Sequence, residues 1–403
     1  MTQLTYRTAG ESHGPALTTL IEGVPAGLEL DLELIDAELR RRQGGYGRGG
    51  RQKIETDSAT FLAGVRRGRT TGGPIIMQVA NRDSRLDDLE RTPPVHRPRP
   101  GHADLAGSVK WLTTDCRETL ERASARETAA RVAAGGVARC LLRAVGIELF
   151  GFVRGMLDVR ADVEVPMDPA ALGPLRAARD ASDVACPDEA AAAAMIERIR
   201  QAKIDRDTVG GFAEVHVLGC PIGLGSCVQW DTRLDSRIAA AVMGIQAFKA
   251  VEIGLGRACG ERPGSQVHDP IAHDPARAGE PHLGFVRESN NAGGIEGGMT
   301  NGMPIVVTGT MKPISTLLRG LPSVNLETKQ AERSDYERSD VCALPAASVV
   351  MESVVGFEVA RAFLERFGGD SMPQVLAAYE RTTELARALP LPGREVRAEA
   401  GAE

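Results

Sequence analysis

The stretch SARETAARVAAGGVARCLLRAV, from Ser124 to Val145, decides the fold. Its first four residues fit the S-x-x-E pattern of a capping box, in which Ser124 and Glu127 satisfy free backbone N–H groups at the start of a helix. The alanine-rich run that follows has high helix propensity despite Gly135 and Gly136. Because such small residues suit close approach between helices, the stretch predicts a helix packed against neighbouring helices.

Short stretches on either side alternate between polar and apolar residues, which predicts β-strands. These stretches are Leu4–Thr8, Leu17–Glu22, Ile75–Ala80, Phe212–Leu218 and Met303–Met311. Helical patterns predict further helices over Asp31–Arg42, Leu234–Phe248, Val355–Phe367 and Pro373–Leu389. Strands and helices do not alternate with βαβ regularity. We therefore expect one large α+β domain over residues 1–389 and a disordered tail over residues 390–403.

The composition is that of an ordinary globular protein, with 42% hydrophobic and 25% charged residues in a chain of 403. Aromatic residues make up only 4% and the net charge is −6, so the chain has no global attraction to nucleic acid or anionic membranes. Five arginines and no acidic residue nevertheless fall between Arg40 and Arg51. An acidic protein with one concentrated basic loop favours a small anionic ligand.

Cysteine usage and the N-terminus predict a cytoplasmic location. The seven cysteines include no C-x-x-C pair and their number is odd, which is typical of reduced thiols in a cytosolic protein. The first residues, MTQLTYRTAGESHG, contain no apolar segment of a secretory signal. No apolar run approaches the roughly 18 residues that a membrane helix needs. We therefore expect no association with a membrane.

Several well-known motifs are missing. The chain has neither a P-loop nor an H-E-x-x-H zinc motif, and Gly254–Gly260 has the wrong spacing for a dinucleotide fingerprint. The seven histidines show no metal-ligand spacing, so no metal is expected. Gly10–Gly14 matches G-x-S-x-G, but Pro15 and a strand-like stretch follow instead of a helix. That context argues against a hydrolase nucleophile elbow.

What remains is a set of loops rich in glycine and polar side chains. Guanidinium groups in them could pair with phosphate or carboxylate, Gly-Gly pairs could expose backbone N–H groups to an anion, and two histidines could face a cavity. Taken singly, each loop is equally compatible with a surface turn or a solvated basic segment. The loops are Gly10–Gly14, Arg40–Arg51, Arg97–Asp104, Asn290–Gly302, Lys312–Thr316 and Glu337–Asp340.

Taken together, these loops resemble the chorismate synthase family. The matching strings are TAGESHGPAL, RRRQGGYGRGGRQKIETD, RPRPGHADL, ERASARETAARVA, GGIEGGMTNG, MKPIST and ERSDVCALPA, in the family's order from residue 8 to residue 346. Any one string is weak, but jointly they are very specific. The chain departs from the family in the tail, at Ala123, where some members carry serine, and at Asn81–Pro94, which is shorter and less typical.

The resemblance implies a reaction and a fold. The family carries out an anti-1,4-elimination, in which phosphate leaves C3 of 5-enolpyruvylshikimate-3-phosphate and a hydrogen leaves C6. The product is chorismate, at the last step of the shikimate pathway, and the flavin FMN must be reduced although the reaction is redox-neutral overall. The fold implied is a helical layer sandwiched between antiparallel β-sheets, in a homotetramer. Nothing resembles an extra NADPH domain, so we expect a monofunctional enzyme with an external flavin reductant.

The resemblance also implies residue roles. His13 would protonate or hydrogen-bond the leaving phosphate, and His102 would stabilise the anionic reduced flavin. Asp340 would accept a proton from flavin N5, with Arg338 keeping it ionised. The substrate's phosphate and carboxylates would be bound by Arg42, Arg48, Arg126 and Arg338. The flavin would be bound by Arg122, Ala123, Ser124, Gln246, Ala247, Gly297, Lys312, Pro313, Ile314, Ser315, Thr316 and Arg338.

Two other classes of protein stay open at this point. A flavin reductase or NADPH-dependent oxidoreductase could use the same flavin-binding loops. A non-enzymatic RNA-binding protein could use Arg40–Arg51, although the net charge of −6 and the few aromatic residues weigh against it. A flavin titration with and without substrate separates the three classes.

Overall fold

The computed structural model describes residues 3–50, 54–335 and 340–392, and it combines helices with antiparallel strands. Within these ranges the α-helices are α1 (Leu32–Gln43), α2 (Asp104–Trp111), α3 (Arg117–Ala123), α4 (Thr128–Ala144), α5 (Gly173–Ala181), α6 (Glu189–Ile204), α7 (Leu234–Met243), α8 (Leu344–Phe367) and α9 (Met372–Arg387). The β-strands are β1 (Thr5–Ala9), β2 (Ala16–Glu22), β3 (Thr60–Ala63), β4 (Val65–Arg66), β5 (Arg69–Thr70), β6 (Ile75–Ala80), β7 (Glu148–Met156), β8 (Val159–Arg160), β9 (Gly211–Leu218), β10 (Phe248–Ile253), β11 (Ile271–His273), β12 (Phe285–Arg287), β13 (Ile295–Glu296), β14 (Met299–Thr300), β15 (Ile305–Met311), β16 (Pro322–Val324) and β17 (Ala331–Arg333).

Helix α4 lies at the centre of the molecule, as its small residues predicted. A Cβ atom on Gly135 would lie 2.4 Å from the Cβ atom of Ser353 in α8. A Cβ atom on Gly136 would lie 2.9 Å from Ile35 in α1. A larger side chain at Gly135 would therefore push α4 away from α8, and one at Gly136 would push it away from α1. The helix accepts the low helix propensity of glycine because the close contact requires it.

Two antiparallel sheets enclose the helices. The first has the strand order β1-β2-β6-β3, and the second has the order β10-β15-β9-β7-β8. The remaining strands form two-stranded ribbons, β4-β5, β11-β12, β13-β14 and β16-β17. Neighbouring strands of the first sheet are fixed in register by pairs such as Leu20 with Ile76. In the second sheet, the paired residues include Val307 and Val215.

The helical layer lies between the two sheets. On one side α4 packs against the first sheet, where the Thr19 hydroxyl of β2 donates to the carbonyl oxygen of Ala130 at 2.9 Å. On the other side α8 packs against the second sheet, and a Cβ atom on Gly356 would lie 2.5 Å from Leu149 of β7. This arrangement confirms the α+β class and the predicted sandwich.

Several predicted boundaries were wrong. The helix predicted over Leu234–Phe248 ends at Met243, because Gly244 ends it and Ala247 adopts a left-handed conformation with φ of 69°. Phe248 begins strand β10 instead. Strand β15 begins at Ile305, two residues after the predicted start, and β1 is displaced by one residue.

Helix α8 begins at Leu344, well before the predicted start at Val355. Because nearly all of its residues are buried between the sheets, apolar residues occur on all sides of the helix, and its first turns show no amphipathic period. Pro345 occupies the first turn, where a missing N–H group is tolerated.

The start of α4 also differs from the capping-box prediction. Ser124 does act as an N-cap, since its hydroxyl accepts from the backbone N–H of Arg126 at 3.3 Å, but it caps a 3-10 turn over Ala125–Glu127. The Glu127 carboxylate accepts from Arg131 at 3.0 Å instead of completing the box.

Candidate active site

A cavity of about 540 Å³ opens at the ends of several helices and strands. Its walls come from the β1–β2 loop, the C-terminal ends of α1 and α3, and the 3-10 turn before α4. The walls also include the α7–β10 turn, the segment after β15 and the first turns of α8. Elements distant in sequence thus bring their ends to one place.

The cavity is basic at one part of its wall and apolar at another. Its lining includes five arginines and one lysine against two aspartates. The apolar part includes Leu120, Ile245, Met311, Ala347 and Val350. Such a surface suits a ligand that combines anionic groups with a flat apolar ring.

His13 is held from behind by an acidic residue of α3. Its backbone N–H donates to the Glu121 carboxylate at 2.8 Å, and its ring Nδ1 lies 2.9 Å from the same carboxylate. On the other side of the ring, Nε2 lies 3.3 Å from Nη2 of Arg85 and 3.9 Å from Oδ2 of Asp83. The ring is therefore fixed by one nitrogen and faces charged groups of the cavity wall with the other.

His102 is held in a similar way, but by a residue close in sequence. Its Nδ1 bonds to the carboxylate of Asp104, which begins α2. Arg99 donates to that carboxylate from Nε at 2.8 Å and reaches the Thr316 hydroxyl at 3.0 Å. Burial raises the pKa of Asp104, but the hydrogen bonds from His102 and Arg99 outweigh burial and hold it well below its usual value.

Asp340 lines the same cavity and is paired with the arginine loop. Its carboxylate accepts from the backbone N–H of Gly49 at 2.6 Å and forms an ion pair with Nη1 of Arg48 at 2.7 Å. The loop is brought there by Gly47, whose carbonyl oxygen accepts from Val341 N–H at 2.8 Å. Arg338, predicted to keep Asp340 ionised, lies outside the described residues, and in the described part Arg48 supplies that positive charge.

Arg42 and Arg126 line the cavity from α1 and from the turn before α4, and both are buried. Arg126 is heavily engaged, since its Nη1 contacts both oxygens of Asp57 at 2.7 and 2.8 Å and its Nε donates to Asn81 at 2.8 Å. Arg42 donates from Nε to the Thr128 hydroxyl at 3.1 Å. Burial, reinforced by the positive charges of Arg126 and Arg48, lowers the pKa of Arg42, although Asp57 opposes the shift.

Most residues predicted to bind the flavin line the same cavity. The lining ones are Ala123, Ser124, Gln246, Ala247, Lys312, Pro313, Ile314, Ser315 and Thr316. Burial and the nearby charge of Lys249 lower the pKa of Lys312, whose ammonium group bonds to the carbonyl oxygen of Gly101.

Two predicted flavin residues lie outside the cavity lining, and Arg338 lies outside the described residues. Arg122 donates instead to the carbonyl oxygens of Gly10 and Thr8 at 3.1 and 2.9 Å, so it braces the His13 loop. Gly297 is exposed in the turn between β13 and β14, with φ of 59°.

Several residues of the site were not predicted from the sequence. Asp83 and Arg85 line the cavity although they belong to the atypical segment Asn81–Pro94, and the backbone N–H of Arg85 donates to the His13 carbonyl at 2.9 Å. The N-R-D-S-R cluster of charged residues directly after a predicted strand was the available signal. Arg99 was visible within RPRPGHADL, whereas no local pattern pointed to Glu121.

Four polar atoms of the cavity residues are buried without a hydrogen-bond partner in the described ranges. They are Nη1 of Arg42, Nε of Arg48, Nε of Arg85 and Oε1 of Gln246. Three donors and one acceptor left open in a cavity suit a ligand with anionic groups and ring N–H groups.

The described ranges offer neither a metal-binding cluster nor a membrane-spanning helix. The described residues contain no group of three or more His, Cys, Asp or Glu side chains placed to hold a metal ion. None of the helices in residues 3–50, 54–335 and 340–392 combines the length and apolar character needed to span a membrane.

Comparison with known proteins agrees with the motifs. A family model described as chorismate synthase matches residues 4–364. A chorismate synthase of Desulforamulus reducens is 52% identical over 93% of this chain and 97% of its own length, and one of Geobacter sulfurreducens is 51% identical over 96% and 100%. A crystal structure of chorismate synthase matches with a TM-score of 0.78 and 39% identity, over 96% of this chain and 99% of that one.

Proposed function

The chain belongs to the chorismate synthase family, the lyases that form chorismate in the shikimate pathway by eliminating phosphate from 5-enolpyruvylshikimate-3-phosphate, and we propose that it does so with reduced FMN bound in the cavity. The observation that carries the proposal is the convergence of His13, His102 and Asp340 on one basic cavity. These residues come from loops up to 327 positions apart in the numbering, and a shared chemical task accounts for their meeting.

The substrate's phosphate and two carboxylates are held by Arg42 and Arg48, together with Arg338. Arg42 is the strongest candidate, because its Nη1 is buried in the cavity wall without a hydrogen-bond acceptor in the described ranges. A bound anion supplies that acceptor and offsets the cost of burying the guanidinium. Arg126 has weaker support as a substrate ligand, because Asp57, Asn81 and the Ala80 carbonyl oxygen already accept from its three nitrogens.

His13 donates a proton from Nε2 to the leaving phosphate. With Nδ1 bonded to Glu121, Nε2 is the nitrogen that faces the cavity lining. A protonated imidazole at that point neutralises charge as the C–O bond to phosphate breaks.

Asp340 accepts a proton from flavin N5, the role predicted for it from the family motifs. Its carboxylate is oriented by Gly49 N–H and Arg48, while the side chain remains 18% exposed toward the cavity. A carboxylate that is both fixed and accessible has the geometry of a general base.

The flavin-binding residues are those predicted from the family motifs that also line the cavity. When bound, reduced FMN supplies electron density to the breaking bond and a site for the hydrogen from C6. Ser124, Gln246 and the Lys312–Thr316 segment bind its polar groups, and Leu120, Ile245 and Val350 exclude water from its ring. His102 holds a proton toward the flavin, and Asp104 and Arg99 fix the ring in place.

An anaerobic assay tests the cofactor. The purified protein should release phosphate and form chorismate with FMN plus dithionite, but not with NADPH and oxidised FMN alone, because an external reductant is required. Full turnover without flavin, or with oxidised FMN, contradicts the proposal. Turnover with NADPH and FMN would assign the flavin-reductase activity to this chain as well.

The remaining features of the proposal concern the whole protein. We expect a single catalytic domain over residues 1–389, with the tail over residues 390–403 dispensable for activity, and a cytoplasmic homotetramer without nucleic-acid or membrane partners. Light scattering gives the mass of the assembly, and a chain shortened at residue 389 should retain its activity.

A further inference from the structure

The loop that carries His13 makes several of its bonds to one residue of helix α3, Glu121. Glu121 of α3 accepts from the His13 backbone N–H at 2.8 Å and lies 2.9 Å from its ring Nδ1. The backbone carbonyl of Glu121 accepts from Ser12 N–H at 2.9 Å. One residue therefore fixes the backbone before His13, the backbone of His13 and the orientation of its ring.

The Glu121 carboxylate is itself buried and braced. Its side chain is 3% exposed, and Arg117, one turn earlier on α3, lies 3.3 Å from Oε1. Burial raises the pKa of Glu121, but the bonds from His13 and the charge of Arg117 outweigh burial and lower it. The group is therefore ionised at neutral pH.

An ionised carboxylate at Nδ1 decides which ring nitrogen carries the proton. A carboxylate can only accept, so Nδ1 must donate and the neutral ring has its lone pair on Nε2. In the described ranges, Nε2 faces Asp83 at 3.9 Å and Arg85 at 3.3 Å.

We propose that Glu121 is a positioning residue that sets the Nδ1–H tautomer of His13, with Arg117 bracing Glu121. The proposal deepens the acid role given to His13 above and rests on it for its effect on turnover. Its effect on the tautomer does not depend on any role in the reaction.

The kinetic test replaces Glu121 with glutamine and uses Glu118→Gln, at an exposed position of the same helix, as the matched control. Glu121→Gln should lower kcat about 10- to 100-fold, as loss of an orienting partner typically does, and leave KM for the substrate within about twofold. In Glu121→Gln the proton of the neutral His13 ring, read by nitrogen NMR, should no longer be confined to Nδ1, because a glutamine amide can donate as well as accept. Glu118→Gln should change none of these. Unchanged kcat and tautomer, or a loss confined to KM and Tm, overturns the proposal.

A second measurement is made on the unsubstituted protein and needs no turnover. Nitrogen NMR of histidine-labelled protein, with the His13 signals assigned by their absence from His13→Asn, reports the protonated nitrogen directly. We expect a proton on Nδ1 in the unsubstituted protein, and a proton on Nε2 alone overturns the proposal. If His13→Asn keeps full turnover while the tautomer is as expected, the acid role of His13 fails and the positioning inference stands.

Discussion

Arg41 and Arg42 are neighbours at the end of α1, yet they belong to two different kinds of charged site. Arg41 points into a cluster of three arginines and three carboxylates within the helical layer. This helical-layer ion cluster consists of Glu38, Arg41, Arg139, Arg179, Asp180 and Glu352. Arg42 points into the cavity. The pKa of Arg41 is raised and that of Arg42 is lowered.

In the helical-layer ion cluster each arginine is matched by carboxylates. Arg41 Nη1 donates to Glu38 at 2.6 Å and to Glu352 at 3.0 Å. Arg139 Nη1 donates to the same two residues at 2.7 and 3.1 Å. Burial by itself lowers the pKa of Arg41, but the charges of Glu352 and Glu38 more than offset it.

In the cavity the balance is reversed. The nearest carboxylate to Arg42 is Asp57, whose Oδ2 lies 3.6 Å from Nη1, and both oxygens of Asp57 are already bonded to Arg126. Arg48 and Arg126 add positive charge. The comparison teaches that matched buried charge is structural, whereas buried positive charge in excess marks the place of an anionic ligand.

The largest effect is expected from a carboxylate of the cavity. Asp340→Asn keeps size and polarity but removes the base, so turnover should fall about 10²–10⁴-fold. Flavin and substrate should still bind, because the arginines and glycine loops remain. Anaerobic single-turnover measurements at saturating flavin and substrate report this step apart from binding. A near-normal rate would place Asp340 with the structural carboxylates.

Arg41→Ala should have the next largest effect, on stability. It leaves Glu38 and Glu352 buried with too little positive charge, which typically costs about 3–5 kcal/mol. Urea denaturation at fixed protein concentration measures the loss. Arg198→Ala is the control, since Arg198 forms an exposed pair with Asp158 and its removal should cost less than about 1 kcal/mol. Equal effects in the two variants would contradict the comparison.

Arg42→Ala should show the opposite behaviour to Arg41→Ala. Losing a charge-assisted contact costs about 1.5–3 kcal/mol, so substrate affinity should fall roughly 10- to 100-fold. Stability should fall less than in Arg41→Ala, because a buried charge without a full partner is removed. Substrate titration measures the affinity of both variants, and urea denaturation measures their stability. Unchanged affinity with collapsed stability would make Arg42 a second structural arginine.

The smallest effect is the response of the helical-layer ion cluster to acid. Burial raises the pKa of Glu352, but Arg41, Arg139 and Arg179 outweigh burial and lower it from 4.5 to about 2. A carboxyl group whose pKa is lower in the folded protein than in the unfolded chain stabilises the fold at pH values above the unfolded pKa. This stabilisation is lost as the pH falls toward the folded pKa. The difference in free energy of unfolding between the unsubstituted protein and Glu352→Gln, from urea denaturation, should therefore stay constant above about pH 5 and shrink between 4.5 and 2, by at most about 1.4 kcal/mol per pH unit. Shrinkage already at pH 6 would argue against this pairing.

The fold was largely predictable where the pattern is local. The alternating strands β2, β6 and β9 and helix α4 were predicted within a few residues, because polar alternation and small-residue runs record how one element meets its neighbours. The early turns of α8 were missed, since a helix buried on every side has no polar face to reveal its period.

The candidate site was predictable to the extent that motifs carry it. His102 and Asp104 occur within one short string, and the sequence alone placed a histidine beside arginines there. The partner of His13, by contrast, lies 108 residues along the chain. No spacing rule could connect them, because α3 reaches the β1–β2 loop only after the sheet and the helical layer have packed together.

The sequence by itself determined the family, the α+β class, the central helix and the loops that carry the polar groups. The tertiary structure alone decided which of the adjacent arginines faces carboxylates and which faces the cavity. It also decided that Glu121 fixes His13 and that Arg85, from a segment atypical of the family, joins the cavity wall. The physical reason is the distance along the chain over which each interaction acts. Backbone propensity and side-chain periodicity act over a few residues, whereas the pairing of buried charges depends on which distant elements packing brings together.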